Sequence, residues 1–318
     1  MPTYRSDLPQ TSGELFLTDG GLETTLIFEH GLDLPHFASF PLLDSAEGRT
    51  TLLDYYRSYA AVARDAGRGI VLETPTWRAS ADWGSALGYD QIQLDRANQE
   101  GVRLLEQVRQ EFAVDENEIV ISGNIGPRGD GYEPGDQMSA SEAEDYHGAQ
   151  IRSLTQAGAD LITVLTMTYL GEAIGVAQAA KAAEMPSVIS FTVETDGRLP
   201  TGQSLGDAVE QVDAATGSSP VFYGINCAHP DHFDDVLEAG GDWRHRIGLV
   251  RANASRMSHE ELDNAEELDA GDPIEFGQQN AHLRERFPNL VVLGGCCGTD
   301  EQHVGQIGQA CSVTPSRA

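Results

Sequence analysis

The stretch Leu290-Val291-Val292-Leu293-Gly294-Gly295-Cys296-Cys297-Gly298-Thr299 is a short apolar run followed at once by a glycine-rich turn that carries reactive side chains. The same kind of run recurs upstream at Phe16–Thr18, Gly69–Leu72, Ile119–Ser122, Leu161–Leu165, Ser187–Val193, Val221–Asn226 and Ile247–Val250, making eight in all. Each is too short for a helix and rich in residues that pack well on a pleated surface. Between most of them lie stretches whose apolar residues return at helical spacing, such as Thr51–Arg64, Asp95–Phe112 and Ser141–Gln156. Strands alternating with helices imply parallel βαβ units. Eight such units in one chain favour a closed (β/α)8 TIM barrel over an open doubly wound sheet.

At 318 residues the chain has the length of roughly two domains of about 150 residues each. No Pro/Ser-rich linker or break in composition divides it, so residues 1–318 are read as a single domain, with a barrel core from about residue 14 to 310. The acidic segment Ser258–Pro273 is read as a solvated loop plus helix within that barrel.

Composition narrows the function. Acidic residues outnumber basic ones 50 to 20, for a formal net charge of −30. Such a surface repels phosphate backbones and anionic lipid, which argues against nucleic-acid and membrane partners. Of the basic residues 19 are Arg and one, Lys181, is Lys, a bias that suits a GC-rich genome or a surface kept hydrated in high salt. Its carboxylates are expected on helices and loops, away from the active rim. No apolar run approaches the length of a membrane span, and Met1 to Gln10 lacks a signal-peptide core. A cytoplasmic protein is therefore expected, in which four cysteines read as metal ligands or catalytic thiols rather than a disulfide scaffold.

In barrels of this type the active site lies where strands end. The first run leads into Asp19-Gly20-Gly21-Leu22-Glu23-Thr24, the second into Glu73-Thr74-Pro75-Thr76-Trp77, and the third into Gly123-Asn124-Ile125-Gly126-Pro127. The sixth ends at Asn226-Cys227, the seventh at Arg251-Ala252-Asn253, and the eighth at the doubled cysteine. Cys227, Cys296 and Cys297 thus all fall on the expected rim, where three thiolates could hold Zn2+ and leave one position open. Such an electron-rich centre suits activation of a thiol nucleophile better than activation of water. Gly294, Gly295 and Gly298 would give the backbone freedom to turn both adjacent cysteines inward. The same three cysteines could instead be small packing residues, and the Gly294–Thr299 turn could bind phosphate through its N–H groups. Cys311 lies outside the pattern and is expected to be structural. His229 and His232 are read as helix-capping or surface residues, Asp19 and Glu73 as substrate-ammonium or acid/base candidates or else N-caps. Trp77 is read as packing, with a cation–π contact to a methyl donor as the other use.

Together, Asp-Gly-Gly at 19–21, Gly-Asn-Ile-Gly-Pro at 123–127, Gly-Ile-Asn-Cys at 224–227 and Gly-Gly-Cys-Cys-Gly at 294–298 resemble the homocysteine S-methyltransferase family. The resemblance runs collinearly from about residue 14 to 310. It implies a TIM barrel with Zn2+ held by Cys227, Cys296 and Cys297, and methyl transfer from a small activated donor to a thiol. Homocysteine, giving methionine, is the default acceptor. Substrate contacts are expected from Asp19, Gly20, Glu73, Asn226 and Asn253. The chain has no room for folate or cobalamin modules, which favours a free donor of the S-methylmethionine or S-adenosylmethionine type.

Two departures qualify that reading. Members acting on homocysteine carry a Glu on the fourth strand, in a Gly-Ala-Asp…Glu-Thr pattern, where it binds the substrate amine; here Gly158-Ala159-Asp160 leads to Leu165-Thr166. The betaine-using branch has a Tyr near the end of the strand-two loop, where this chain has Arg78. A different thiol acceptor, or a non-catalytic zinc- and thiol-binding protein, are therefore the other readings of the same residues.

Overall fold

In the computed structural model, which describes residues 2–113, 117–265 and 267–313, eight parallel strands pair in chain order and close into a barrel. They are β1 Phe16–Thr18, β2 Gly69–Glu73, β3 Ile119–Ile125, β4 Leu161–Met167, β5 Ser187–Phe191, β6 Phe222–Asn226, β7 Ile247–Ala252 and β8 Val292–Gly295. Each is followed by a helix on the outside: α1 Ala46–Asp65, α2 Gln91–Phe112, α3 Ala140–Ala157, α4 Leu170–Ala182, α5 Leu205–Thr216, α6 Pro230–Ala239, α7 Pro273–Arg286 and α8 Glu301–Val313. This is the expected (β/α)8 barrel, and the three helical stretches read from periodicity lie inside α1, α2 and α3. Local chemistry starts these helices. Asp90 and Ser139 accept from the backbone N–H groups of Gln93 and Glu142, whose side chains reach back to close capping boxes.

Side chains alternate across each strand, as a closed sheet requires. Val71, Val120, Leu161, Val188, Leu249 and Val292 fill the barrel interior with Phe16 and Phe222. Their neighbours Leu17, Ile70, Leu72, Ile121, Ile189 and Val250 face outward into the larger core beneath the helices. The N-terminal segment packs under the barrel, where the Thr3 and Tyr4 amides donate to Asp160 Oδ1 at 2.7 and 2.8 Å. Among the described residues no helix is long and apolar enough to cross a membrane.

Most strand ends lie one to three residues from the apolar runs, and two of these shifts shape the site. The eighth strand begins two residues later than the apolar run and includes Gly294 and Gly295, which pair with Arg251 and Ala252. β4 extends to Met167 and carries a register shift between Val164 and Met167, which turns Leu165 and Thr166 into the barrel mouth.

Candidate metal centre and substrate cavity

At the C-terminal ends of the strands lies a cavity of about 480 Å3, a size suited to an amino-acid-sized ligand. Cys227, Cys296 and Cys297 line it together with Asp19, Gly20, Glu73, Arg78 and Leu165. The metal-ligand expectation is a geometric one, and the three Sγ atoms all lie within 4.8 Å of one another. Thiolates on one tetrahedral zinc sit about 3.8 Å apart, from bonds of about 2.3 Å. Contrary to the expectation of free thiols, Cys227 and Cys296 are paired as a disulfide, with Cα atoms 5.4 Å apart, so they can offer two thiolates to a metal only once reduced. Cys227 is held in place just after β6 by a left-handed turn, φ 53°, while its N–H donates to Arg251 O at 3.1 Å. Burial pushes the Cys297 thiol up to about 11, opposed by the Tyr132 hydroxyl, which donates to Cys297 Sγ at 3.7 Å. Tyr132 comes from the β3–α3 loop and stacks on His259, with ring centroids 3.9 Å apart. His259 Nε2 in turn lies 2.9 Å from Cys227 O, so one aromatic pair braces both walls of the sulfur cluster.

The glycines around the doubled cysteine work differently from expectation. Only Gly298 turns left-handed, with φ 78°. Gly294 and Gly295 are strand residues that must be small, because a Cβ on either would collide with Thr18 or Thr299. The turn is no anion cradle. The N–H groups of Gly295, Cys296, Gly298 and Thr299 already donate to Asp19 O, Ala252 O, Thr24 Oγ1 and Cys296 O, at 2.8 to 3.2 Å. With these four donors committed, the turn lacks the converging N–H groups that a phosphate, considered from the sequence, would need.

Asp19 caps no helix. Its Oδ1 pairs with Arg251 Nη1 at 2.8 Å, both residues being buried. Arg251 also donates to Gly20 O at 2.9 Å, Gly295 O at 3.0 Å and Thr18 Oγ1 at 3.2 Å, so its guanidinium is satisfied by the protein. Burial still raises the Asp19 carboxyl above its ordinary value against the pull of Arg251. Glu73, at the end of β2, is 3% exposed and its Oε2 has no hydrogen-bond partner. Burial pushes its carboxyl up to about 7, with Arg251 opposing and Asp19 adding to the rise. Glu23 also lines the cavity, and burial raises its carboxyl although the Ser39 hydroxyl donates to it at 2.7 Å.

Asn226 and Asn253 do not line the cavity; both act behind it. Asn226 is fully buried and accepts from Thr166 N at 2.9 Å and Ser190 Oγ at 2.7 Å, while its Nδ2 donates to Thr166 Oγ1 at 2.9 Å. It thereby fixes Thr166 at φ 66°, a conformation costly for a β-branched residue, and with it the bulge that presents Leu165. Asn253 is buried, its N–H donates to Ala228 O at 3.1 Å, and its amide interacts with the Tyr132 hydroxyl.

His229 Nδ1 caps α6 by accepting from Asp231 N at 3.2 Å, and His232 bonds to Arg256 O, as expected of capping and surface residues. Cys311 packs against the core. Trp77 lines the cavity, and the cation over its ring is the chain's own Arg78, 4.4 Å from the centroid. The carboxylates do reach the rim: Asp130, Asp263, Glu267 and Asp269 join Asp19, Glu23 and Glu73 in the cavity wall. Much of this comes from the 258–273 segment, which forms a wall of the site instead of a merely solvated loop; its Glu266 lies outside the described residues. Sequence reasoning misses Arg251 and Tyr132 as site residues, and notes Arg78 only as a departure in the strand-two loop. For Arg251 a signal exists, since an Arg inside an apolar strand run needs a buried carboxylate partner.

Comparison with known proteins agrees with this fold. The family model described as homocysteine S-methyltransferase matches residues 16–311. The homocysteine S-methyltransferase of Escherichia coli (strain K12) is 27% identical over 304 residues, covering 90% of this chain and 92% of that protein. The selenocysteine Se-methyltransferase of Brassica oleracea var. italica is 24% identical over 320 residues, covering 92% and 88%. The metallated form of the Escherichia coli homocysteine methyltransferase MmuM superposes with a TM-score of 0.69 at 20% identity, covering 93% of this chain and 96% of that one.

Proposed function

The chain belongs to the homocysteine S-methyltransferase family and is a methyltransferase, and on that premise we propose that it is zinc-dependent and methylates the sulfur of a small thiol. The observation that carries this reading is the convergence of Cys227, Cys296 and Cys297 within 4.8 Å at one wall of the cavity. Three thiolates fit Zn2+, which would act as a Lewis acid that keeps an acceptor thiol deprotonated at neutral pH. The chain's own residues do the rest. Tyr132, His259 and the committed N–H groups of the Gly294–Thr299 turn hold the cysteines in position. The walls confine donor and acceptor in one cavity, so that the methyl carbon and the attacking sulfur meet in line. The donor we propose is a sulfonium of the S-methylmethionine or S-adenosylmethionine type, whose positive charge suits the acidic wall of Asp263, Glu267 and Asp269.

Homocysteine is the default acceptor, and Leu165 favours a second reading in which the thiol differs. Leu165 is buried and apolar in the cavity wall, and Asp19 is already paired with Arg251. An ammonium at this wall would meet a leucine and a neutralised carboxylate.

The test is metal analysis combined with transfer of a labelled methyl group from either donor to a panel of thiols. About one zinc per chain is expected, lost in Cys227→Ser, Cys296→Ser or Cys297→Ser, with product formed on at least one thiol. Stoichiometric zinc without transfer to any thiol would leave a zinc- and thiol-binding protein instead. Leu165→Glu decides between acceptors: it should improve use of homocysteine over amine-free thiols, and unchanged preference contradicts the second reading.

A further inference from the structure

Arg78 lies on the loop after β2, on the opposite side of the closed barrel from β6, whose end carries Cys227. It is 7% exposed and lines the cavity. Unlike Arg251, it is poorly satisfied. Its Nε has no partner, its Nη1 reaches Gly129 O only at 3.4 Å, and its Nη2 is 3.7 Å from Asp130, a residue 51% exposed. Burial lowers its pKa to about 10, because the protein does not fully compensate the buried charge. The guanidinium carbon lies over two indole rings, 4.4 Å from the Trp77 centroid and 3.7 Å from that of Trp83. A guanidinium donates its hydrogen bonds in its own plane, leaving its faces to the rings. That geometry matches a planar, bidentate anion.

We propose that Arg78 is a carboxylate-binding subsite, which holds a substrate of the methyl-transfer reaction through a carboxylate lying in the plane of its guanidinium. This rests on the proposed function for the identity of the reaction, and on the Arg78 environment for the ligand chemistry. The acidic 258–273 segment brings Asp263, Glu267 and Asp269 to the same cavity from the loop after β7. The cavity therefore pairs a cationic anchor with a carboxylate-rich wall, an arrangement that suits a zwitterion with its cationic centre toward the sulfurs. A phosphate dianion, by contrast, would meet stronger repulsion from the cavity carboxylates than a singly charged carboxylate does.

Binding to the full-length protein, followed by tryptophan fluorescence, tests this without relying on turnover. Two ligand pairs serve as probes: S-methylmethionine against its decarboxylated counterpart, and homocysteine against 3-aminopropanethiol. One pair is expected to show about tenfold or greater preference for the acid in the wild type, and which pair does so tells whether donor or acceptor occupies the subsite. In Arg78→Met that preference should fall to about twofold or less, with binding of the decarboxylated ligand unchanged, and Arg78→Lys should restore part of it. No preference in either pair, or equal weakening of acid and decarboxylated ligands by Arg78→Met, overturns the proposal. If Arg78→Met does not fold, the wild-type preference and the Arg78→Lys series decide. Preference for the acid with no methyl transfer to any thiol would support the subsite and refute the proposed function.

Discussion

Arg251 Nη1 and Asp19 Oδ1 form a buried ion pair at 2.8 Å that ties the end of β7 to the end of β1 across β8. The pair sets both the electrostatics of the cavity and the geometry of the doubled cysteine, because Arg251 also holds Gly20 O and Gly295 O. Removing one partner strands the other charge in a site with little water. Arg251→Met is expected to cost about 3–5 kcal/mol of unfolding free energy, and Asp19→Leu a similar amount. The double variant should recover more than half of the summed loss, since no charge is then left buried alone. Urea denaturation of the four proteins measures this, and simple additivity would show that the two groups are not coupled.

The fold is legible in the sequence because the barrel needs only a repeating unit, and that unit shows in runs such as Gly69–Leu72 and in helices such as Asp95–Phe112. The sulfur cluster is legible because position after a strand specifies the rim. The polar half of the site is not. Asp19 reads as a substrate or capping carboxylate because its partner Arg251 lies 232 residues away in sequence, and an Arg in an apolar run calls for a buried acid without saying which one. Asn226 reads as a ligand contact because its neighbour is Cys227, yet its side chain points back to Thr166 and Ser190. The 258–273 segment reads as solvated because charge dominates its composition, whereas Leu262, Ala265 and Leu268 fold onto the cavity. Register and loop closure, which no short motif encodes, decide each of these.

Glu73 is predicted to make stability depend on pH. Its folded carboxyl is raised to about 7 against an ordinary value of 4.5, so the folded protein holds the proton more tightly than the unfolded chain. The stabilisation is full below about pH 4.5, diminishes as pH rises through about 7, and is flat above that. Glu73→Gln keeps the shape and removes the titration. It should match the wild type near pH 4.5 and exceed it by a few kcal/mol near pH 8, since each tenfold change in proton affinity is worth about 1.4 kcal/mol. Denaturant titrations at both pH values check this, and parallel pH profiles for the two proteins would refute it.

Asn226 is predicted to act as a positioning residue for the bulge in β4. Its side chain makes three hydrogen bonds to Thr166 and Ser190, and Thr166 is held at φ 66°. Asn226→Ala leaves the Thr166 N–H and the Ser190 hydroxyl without a buried partner, at a cost of about 2–5 kcal/mol. The bulge should then relax and move Leu165, raising KM for substrate more than it lowers kcat. A second substitution, Thr166→Gly, removes the backbone strain and should return part of the lost stability. A crystal structure of Asn226→Ala with Thr166 still left-handed would contradict this role.

The net charge of −30 predicts a stability that rises with salt. Ion pairs such as Arg57–Glu111 and Arg286–Asp234 neutralise only part of the excess, because 20 basic residues face 50 acidic ones. The remaining carboxylates repel one another in the compact state more than in the expanded chain. Screening acts over a Debye length of about 10 Å at 0.1 M salt and about 3 Å at 1 M, so the repulsion should be mostly removed by the upper figure. Tm is therefore expected to climb by several degrees as KCl is raised over that interval and then to level off. Sucrose, which is excluded from the surface but screens nothing, should give a steady rise without a plateau. The cavity carboxylates add a functional counterpart: KM for a sulfonium donor should increase with KCl, because its positive charge loses the attraction of the acidic wall. A Tm and a KM that both ignore salt would mean that the acidic surface neither strains the fold nor guides the donor.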